Sequence, residues 1–560
     1  MFSDIVISER AKKEPIEKIA GSLGIDKKYL TCYGRYIAKI ELDILKKIRS
    51  RAQGKYILVT AITPTPLGEG KTVNTIGLSM ALNKLKKPSV VCIRQPSLGP
   101  VFGIKGSAGG GGYAQVSPRE DFDLHFTGDA HAVGLAHNIA AAFLDNALFR
   151  GNRLNIDLKK IYWPRVVDIG DRSLRKIRIG LGCIARESRF DITAASEIMA
   201  ILALSSGLGD LKKRLSRIVL AQAKDGRPIT TKDLGVAGLM AVLLKDAIKP
   251  NLIQTIENTP CFVHTGPFAN IAHGNSSIIQ DRIAMGLCDY VVTEAGFGAE
   301  CGAEKFFDIK CRVGSFRPDA AVLVASVRGL KAHSRKFHII PGKPLDKALW
   351  REDIAAIEEG LPNLEKQVEN IRRFGIPVVV AINRFDADTD REIDFIRAKA
   401  GQLGADDCQV SEVWSRGSKG GLDLARSIVR LAKKPNKFRF LYPHDIPLKE
   451  KIDIIATQMY GAKRVVYSPL AETKIKLFKR QGWDKLPVCM AKTPLSLSHN
   501  PKLKGRPMGF TLPVRDIRAY PGAGFLTPLC GAIQTMPGLP LHPRGESIDI
   551  DKKGNIIGLS

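Results

Sequence analysis

Thr65-Pro66-Leu67-Gly68-Glu69-Gly70-Lys71-Thr72 is the segment whose residue types and spacing carry the most chemistry. It nearly fits the phosphate-loop pattern G-x-x-x-x-G-K-[ST], with Thr65 standing where the first glycine is usual. Gly68 and Gly70 would let backbone N–H groups close around phosphate oxygens, and a following helix would add the positive end of its dipole. Lys71 would contact the β- and γ-phosphates, and the Thr72 hydroxyl would ligate the Mg²⁺ that arrives with ATP. An ordinary turn containing Gly and Lys is the bland alternative, and the strand before and helix after this turn argue against it. The pattern predicts a nucleoside triphosphate, not a reaction.

Asn383-Arg384-Phe385-Asp386 resembles the N-K-x-D motif that reads guanine, departing from it at Arg384. Taken alone, it keeps a GTPase-type switch or metallochaperone in play. From Arg94 to Tyr113 the chain combines two cations, Arg94 and Lys105, with a glycine run that includes Gly106, Gly110 and Gly111. This is read as a backbone cradle or lid for phosphate or substrate, although Arg94 alone is equally well a strand-end surface charge. His264 and His273 flank a glycine-containing loop and could orient a phosphate or an amine proton, or serve structure only. His125, His131 and His137 are six apart, so no pair shares the i, i+4 helix face of a zinc motif. Glu294, Glu300 and Glu304 could form a carboxylate site, but Lys305 beside them equally fits a salt-bridged turn.

The elements that must position these residues follow from apolar runs. Tyr56–Ile62, Val90–Ile93, Cys261–Val263, Tyr290–Val292, Ala321–Val324 and Ile376–Ile382 read as buried strands separated by helices, one of them near Val73–Lys86. Continuous apolar strands alternating with helices predict an α/β fold with a parallel sheet covered on both faces. Residues 1–55 read as helices, from Ile16, Ile19 and Leu23 and then Ile37, Ile40, Ile44 and Ile48. Between 156 and 249 two hairpins, Arg165–Leu181 and Arg217–Thr230, each precede a helix, Thr193–Leu204 and Lys232–Lys245, which predicts an α+β insert. Beyond 441 Pro and Gly become dense, and a terminal hairpin is expected from Ile548–Ile550 to Ile556–Ile557. The expected layout is a phosphate-loop domain in two segments, 1–155 and 250–440, with the insert at 156–249 between them, followed by a C-terminal α+β domain, 441–560.

At 560 residues the chain can bury two or three cores. No apolar run approaches the ~20 residues of a membrane helix, no signal pattern opens the chain, and ten cysteines show no CxxC pairs. A cytoplasmic enzyme without a membrane partner is expected. Lys+Arg 85 against Asp+Glu 56 gives a net charge of +29, which favours anionic partners. The basic residues are dispersed, so no specific nucleic-acid partner is expected.

The Arg94–Tyr113 segment and the phosphate loop resemble the formate–tetrahydrofolate ligase family, and the likeness extends along essentially the whole chain. It includes Phe126-Thr127-Gly128-Asp129, the run from Gly266 to Gly274, Thr293-Glu294-Ala295-Gly296-Phe297-Gly298-Ala299-Glu300, the run from Leu486 to Thr493, and Met536-Pro537-Gly538-Leu539-Pro540. The resemblance implies a P-loop NTPase-like parallel-sheet domain with two smaller α+β domains, assembled as a homotetramer. It also implies the reaction: ATP, formate and tetrahydrofolate give ADP, phosphate and 10-formyltetrahydrofolate through formyl phosphate, with Mg²⁺ and a possible monovalent-cation requirement. Lys71 and Arg94 would be the catalytic cations, and Phe385 and Trp414 would hold the pterin between them. The family usually has Glu where this chain has Gln95, and its glycine segment differs at Ser107 and Gly109. The pair of aromatics separates a ligase from a nucleotide switch, which has no use for them; an inactive folate-binding relative would keep them without catalysis.

Overall fold

A computed structural model describes residues 4–105, 108–337, 339, 345–531 and 533–559. Its centre is a twelve-stranded sheet. In chain order the strands are β1 (Leu30–Cys32), β2 (Ala38–Ile40), β3 (Lys55–Ala61), β4 (Ser89–Ile93), β5 (Gly110–Gly111), β6 (Ala114–Ser117), β7 (Asn251–Thr255), β8 (Pro260–Val263), β9 (Tyr290–Glu294), β10 (Ala320–Ala325), β11 (Val378–Asn383) and β12 (Asp407–Ser411). The spatial order is β1-β2-β7-β8-β4-β9-β3-β10-β11-β12, with β6 beside β7 and β5 beside β6. From β8 to β12 every pairing is parallel, Val292 lying opposite Ile57 and Val322 opposite Val59.

From β8 to β11 both faces are covered, which is why those strands read as unbroken apolar runs. Ile57, Val59 and Ala61 pack with Leu78, Ala81 and Leu82 of helix α1 (Lys71–Lys84), whereas Tyr56 and Leu58 face the opposite core. Helices α2 (Asp129–Phe149), α3 (Val327–Ala332), α4 (Ile354–Arg372) and α5 (Leu422–Leu431) are the others used below. Among the described residues α2 is the one helix long and apolar enough to cross a bilayer by length and composition, a test that a buried core helix passes equally. In the fold its Val133, Ala136, Ala140 and Leu144 are core, and Asp129 is buried against Lys39 at 2.7 Å.

Three expectations need correction. Ile37 and Ile40 do not continue a helix: Gly34, at φ +74°, turns the chain, the Tyr33 amide donates to the Ile37 carbonyl, and Ala38–Ile40 joins the sheet as β2. An i, i+3 spacing within a short strand had mimicked helical period. Residues 165–181 are not one hairpin. Asp171 caps a 3₁₀ turn at Arg172–Arg175, so Arg165–Val167 pairs in parallel with Phe190–Ile192 while Ile177–Ile179 pairs with Arg186–Ser188. The two insert helices are also shorter than expected, Glu197–Leu204 and Ala237–Leu243. Ser196 caps the first, and Gly235 in the left-handed region precedes the second. The hairpins Val219–Ala223 with Pro228–Thr230 and Asp549–Ile550 with Ile556–Ile557 form as expected.

Candidate active site

Parallel strands carry their loops to one edge of the sheet, and ligands of open α/β sheets bind outside the carboxyl ends of the strands. Strand β9 lies between β4 and β3, so its last residue, Glu294, stands between Arg94, which follows β4, and the loop that follows β3. The Thr72 hydroxyl donates to Glu294 Oε2 at 2.7 Å. Arg94 Nη2 lies 3.7 Å from Glu294 Oε1, and Nη1 donates to the Pro267 carbonyl at 3.3 Å. Arg94 Nε is buried with no acceptor among the described residues. A Cβ at Gly296 would lie 3.3 Å from both terminal nitrogens, so glycine there leaves room for the fork. Desolvation lowers the Lys71 pKa, and the nearby Glu69 and Glu294 carboxylates oppose that shift.

The loop at residues 65–72 is held from beneath. Gly68 and Gly70 have φ of +75° and +78°, a region open to glycine, and Gly70 forms the N-cap of α1. Glu69 Oε1 accepts from the Thr65 amide at 3.0 Å and the Thr65 hydroxyl at 2.9 Å, which gives the residue in place of the first glycine a bonding role. Glu69 Oε2 accepts from Ser326 Oγ, just past β10, at 2.8 Å. Asn383, ending β11, donates to the Glu69 carbonyl at 3.3 Å, and a Cβ on Gly70 would come within 2.4 Å of its Nδ2. Four strand ends therefore meet around this loop. The Thr72 hydroxyl beside Glu294 is a hard-oxygen pair of the kind Mg²⁺ takes. Among the described residues no group of three or more His, Cys, Asp or Glu is placed to form a separate metal centre.

Within the glycine segment, Gly111 and Gly112 lie against Trp414. The Tyr113 amide donates to the Trp414 carbonyl at 2.7 Å, and Cβ atoms at Gly111 and Gly112 would sit 3.3 Å from the indole nitrogen and 2.2 Å from the Trp414 carbonyl oxygen. Gly110 approaches α1 at Ile76, and the Gly112 amide donates to Asp4 Oδ1 at 2.8 Å. These glycines shape the wall that Trp414 forms. Tyr113 is partly exposed beside it; Gly106 and the Lys105 side chain lie outside the described residues. Phe385, following β11, carries the Arg328 guanidinium 3.6 Å from its ring centroid, and Trp350 lies 4.9 Å from the same guanidinium. Among the described residues no ring contact joins Phe385 to Trp414.

Both ring nitrogens of His264 are engaged, with Ser277 Oγ at 2.6 Å and the Ala247 carbonyl at 2.7 Å, and burial pulls its pKa down to about 4. His264 is a buried strut. His273 is buried with neither nitrogen partnered among the described residues, and burial, with Lys310 and Arg94 nearby, pushes its pKa well below the usual imidazole value. The three glutamates do not converge. Glu294 serves Thr72 and Arg94, Glu300 is bound by Thr63 and Gln367, and Glu304, with no hydrogen-bond partner among the described residues, has its pKa raised well above the usual carboxylate range first by burial and then by Asp308. Sequence reasoning missed Ser326 and Arg328. A serine just past an apolar strand was a readable helix cap, but no local signal tied Arg328 to Phe385, 57 positions on.

Comparison with known proteins gives one consistent result. The family model described as formate–tetrahydrofolate ligase matches residues 2–560. Curated relatives named formate–tetrahydrofolate ligase include that of Roseiflexus sp. (strain RS-1), 55% identical over 564 residues and covering 100% of both chains. That of Saccharopolyspora erythraea is 53% identical over 562 residues, and that of Desulforamulus reducens 50% over 561, each covering 100% of this chain and 99% of its own.

Proposed function

This chain belongs to the formate–tetrahydrofolate ligase family, a ligase using ATP, and we propose that it works through formyl phosphate with Lys71, Arg94 and Thr72 as the groups at the reacting phosphate. The observation that carries this reading is the convergence of Thr72, Glu294 and Arg94 on the ends of three adjacent parallel strands, beside the phosphate loop. A formate oxygen attacks the γ-phosphorus of ATP, the bond to the bridging oxygen breaks, and ADP leaves. The N10 amine of tetrahydrofolate then attacks the formyl carbon, loses its proton, and the carbon–oxygen bond to phosphate breaks.

The first step brings two anions together, so fixed positive charge must neutralise what develops. Lys71 supplies a point charge at the β- and γ-phosphates. Arg94, with an unused Nε and a planar fork, suits formate or the acyl phosphate bidentately. Glu294 holds both Arg94 and Thr72 in place before substrate binds. Mg²⁺, held by the Thr72 hydroxyl and the phosphates, would add positive charge there. Phe385 and Trp414 offer flat faces for the pterin at the neighbouring strand ends, and Gly110–Tyr113 back the tryptophan. Ten cysteines, all free of disulfides, support a reducing, cytoplasmic setting.

The test is ADP release from MgATP with formate and tetrahydrofolate supplied singly and together. ADP in quantity only with both, beside an accumulating formylated folate, is the expected outcome. Hydrolysis indifferent to both, or driven equally by GTP, would return the nucleotide-switch reading.

A further inference from the structure

Arg328 is a cation without a counter-ion in a protein that pairs most of its partly buried arginines. Among the described residues it has no carboxylate within 4.0 Å and no hydrogen-bond acceptor, and its Nε is buried. By contrast Arg312 bonds Asp308, Arg373 bonds Glu369, and Arg506 reaches both Glu365 and Glu369. The carboxylates whose charge Arg328 feels are committed elsewhere: Asp388 accepts from the Phe385 amide at 2.8 Å, and Glu69 is bonded through both oxygens to Thr65 and Ser326. Burial lowers the pKa of the guanidinium, so holding the charge there costs free energy that a bound anion would offset.

Its setting fixes where that anion would be. The guanidinium lies against the face of Phe385 at 3.6 Å and near Trp350 at 4.9 Å, which fixes its plane and leaves its N–H edge for in-plane acceptors. It is the second residue of α3, whose capping Ser326 holds Glu69 of the phosphate loop. Arg328 therefore sits on the seam between the loop and the aromatic half of the site.

We propose that Arg328 is a substrate-binding residue that receives an oxyanion of one of the two larger substrates, a phosphate of ATP or a carboxylate of the folate's glutamate tail. This rests on the ligase reading and adds to it a specificity group that neither motif contains. The alternative, a cation that merely props Phe385, makes a different kinetic pattern.

The experiment compares wild type, R328Q and R328K in steady state, varying ATP, tetrahydrofolate, and tetrahydrofolate with both glutamate carboxylates amidated. R328Q is expected to raise one KM about tenfold or more while kcat and the KM for formate stay within about threefold, the signature of lost binding. A raised KM for ATP identifies a phosphate. A raised KM for tetrahydrofolate identifies a carboxylate, provided wild type loses the same factor on the amidated folate and R328Q no longer distinguishes the two. R328K, which keeps charge but not the fork, should fall between and carries the test if R328Q does not fold. The proposal is overturned if no KM moves beyond threefold in either variant, or if folate KM rises equally for the charged and amidated forms. Wild-type protein that forms no formylated folate overturns both readings; formation with an indifferent Arg328 overturns this one alone.

Discussion

The two halves of the site are built by different means. Around the phosphate loop the chemistry comes from the ends of neighbouring strands, so hydrogen-bonded register delivers Arg94, Glu294 and Asn383 to their places, and charges pair with charges. In the aromatic half Phe385 and Trp414 also follow paired strand ends, β11 and β12, but remote segments pressed against them complete the site. Gly111 and Gly112 meet Trp414 across some 300 positions of sequence, and Arg328 covers a face of Phe385. A register-built site tolerates little change of charge, whereas a contact-built site tolerates little change of volume. Loss of a charge in the first half should therefore appear in kcat, whereas added volume in either half should appear in the KM of the substrate which that half binds.

The largest effect expected is at Lys71. Lys71→Ala should lower kcat by about 10²–10³-fold or more, the scale of removing one preorganised charge from a transition state. Folate binding, measured by equilibrium dialysis, should be unchanged. A variant that binds folate poorly would show that the halves are not separable. Next come the paired glycines. Gly70→Ala places a Cβ 2.4 Å from Asn383 Nδ2 and Gly112→Ala one 2.2 Å from the Trp414 carbonyl, both at positive φ. The first is expected to raise the KM for ATP, the second that for tetrahydrofolate, each by about tenfold or more with the other KM steady. Crossed effects would break the comparison. Glu294→Gln should be milder, lowering kcat about tenfold, or about 1.4 kcal/mol, because it loosens Arg94 and Thr72 without removing either. A fall in melting temperature with kcat intact would instead make Glu294 a structural residue.

How much of this was legible follows the same division. The β3–loop–α1 unit was readable because strand, turn and helix are consecutive, and six apolar runs located six strands of the sheet. Strand β12 escaped notice because Asp407-Cys408-Gln409-Val410-Ser411 is a half-exposed edge with no apolar run. Strand β2 was mistaken for helix because its three residues carry too little period to tell. Phe385 and Trp414 could be singled out only through a family resemblance, since nothing near either in sequence shows what it faces. The glycine run was legible as special but not as to its partner. Close approach to Trp414 and backbone wrapped around phosphate demand the same residue type, and tertiary structure shows the first of these at Gly111 and Gly112.

The smallest effect lies outside both halves and tests whether they depend on the rest of the molecule. Glu197 opens the insert helix Glu197–Leu204, and its Oε1 accepts from the Gly522 amide at 2.8 Å and the Ala523 amide at 3.2 Å. Burial raises its pKa to about 8, against 4.5 for an ordinary glutamate. With the folded value above the unfolded one, the native state holds a proton that the unfolded chain has released across that interval. This contribution to stability is complete below pH 4.5, declines as pH rises from 4.5 to 8, and is gone above it. The slope for one proton is at most about 1.4 kcal/mol per pH unit. Glu197→Gln keeps the acceptor oxygen but cannot ionise, so urea unfolding of the variant should fall less steeply with pH across that window than wild type. Its kcat and both KM values at about pH 7 should match wild type. A changed folate KM would mean that the contact of Glu197 with Gly522 and Ala523 reaches the aromatic half, as expected of a site completed by remote packing; a changed kcat would mean that it reaches the register-built half as well.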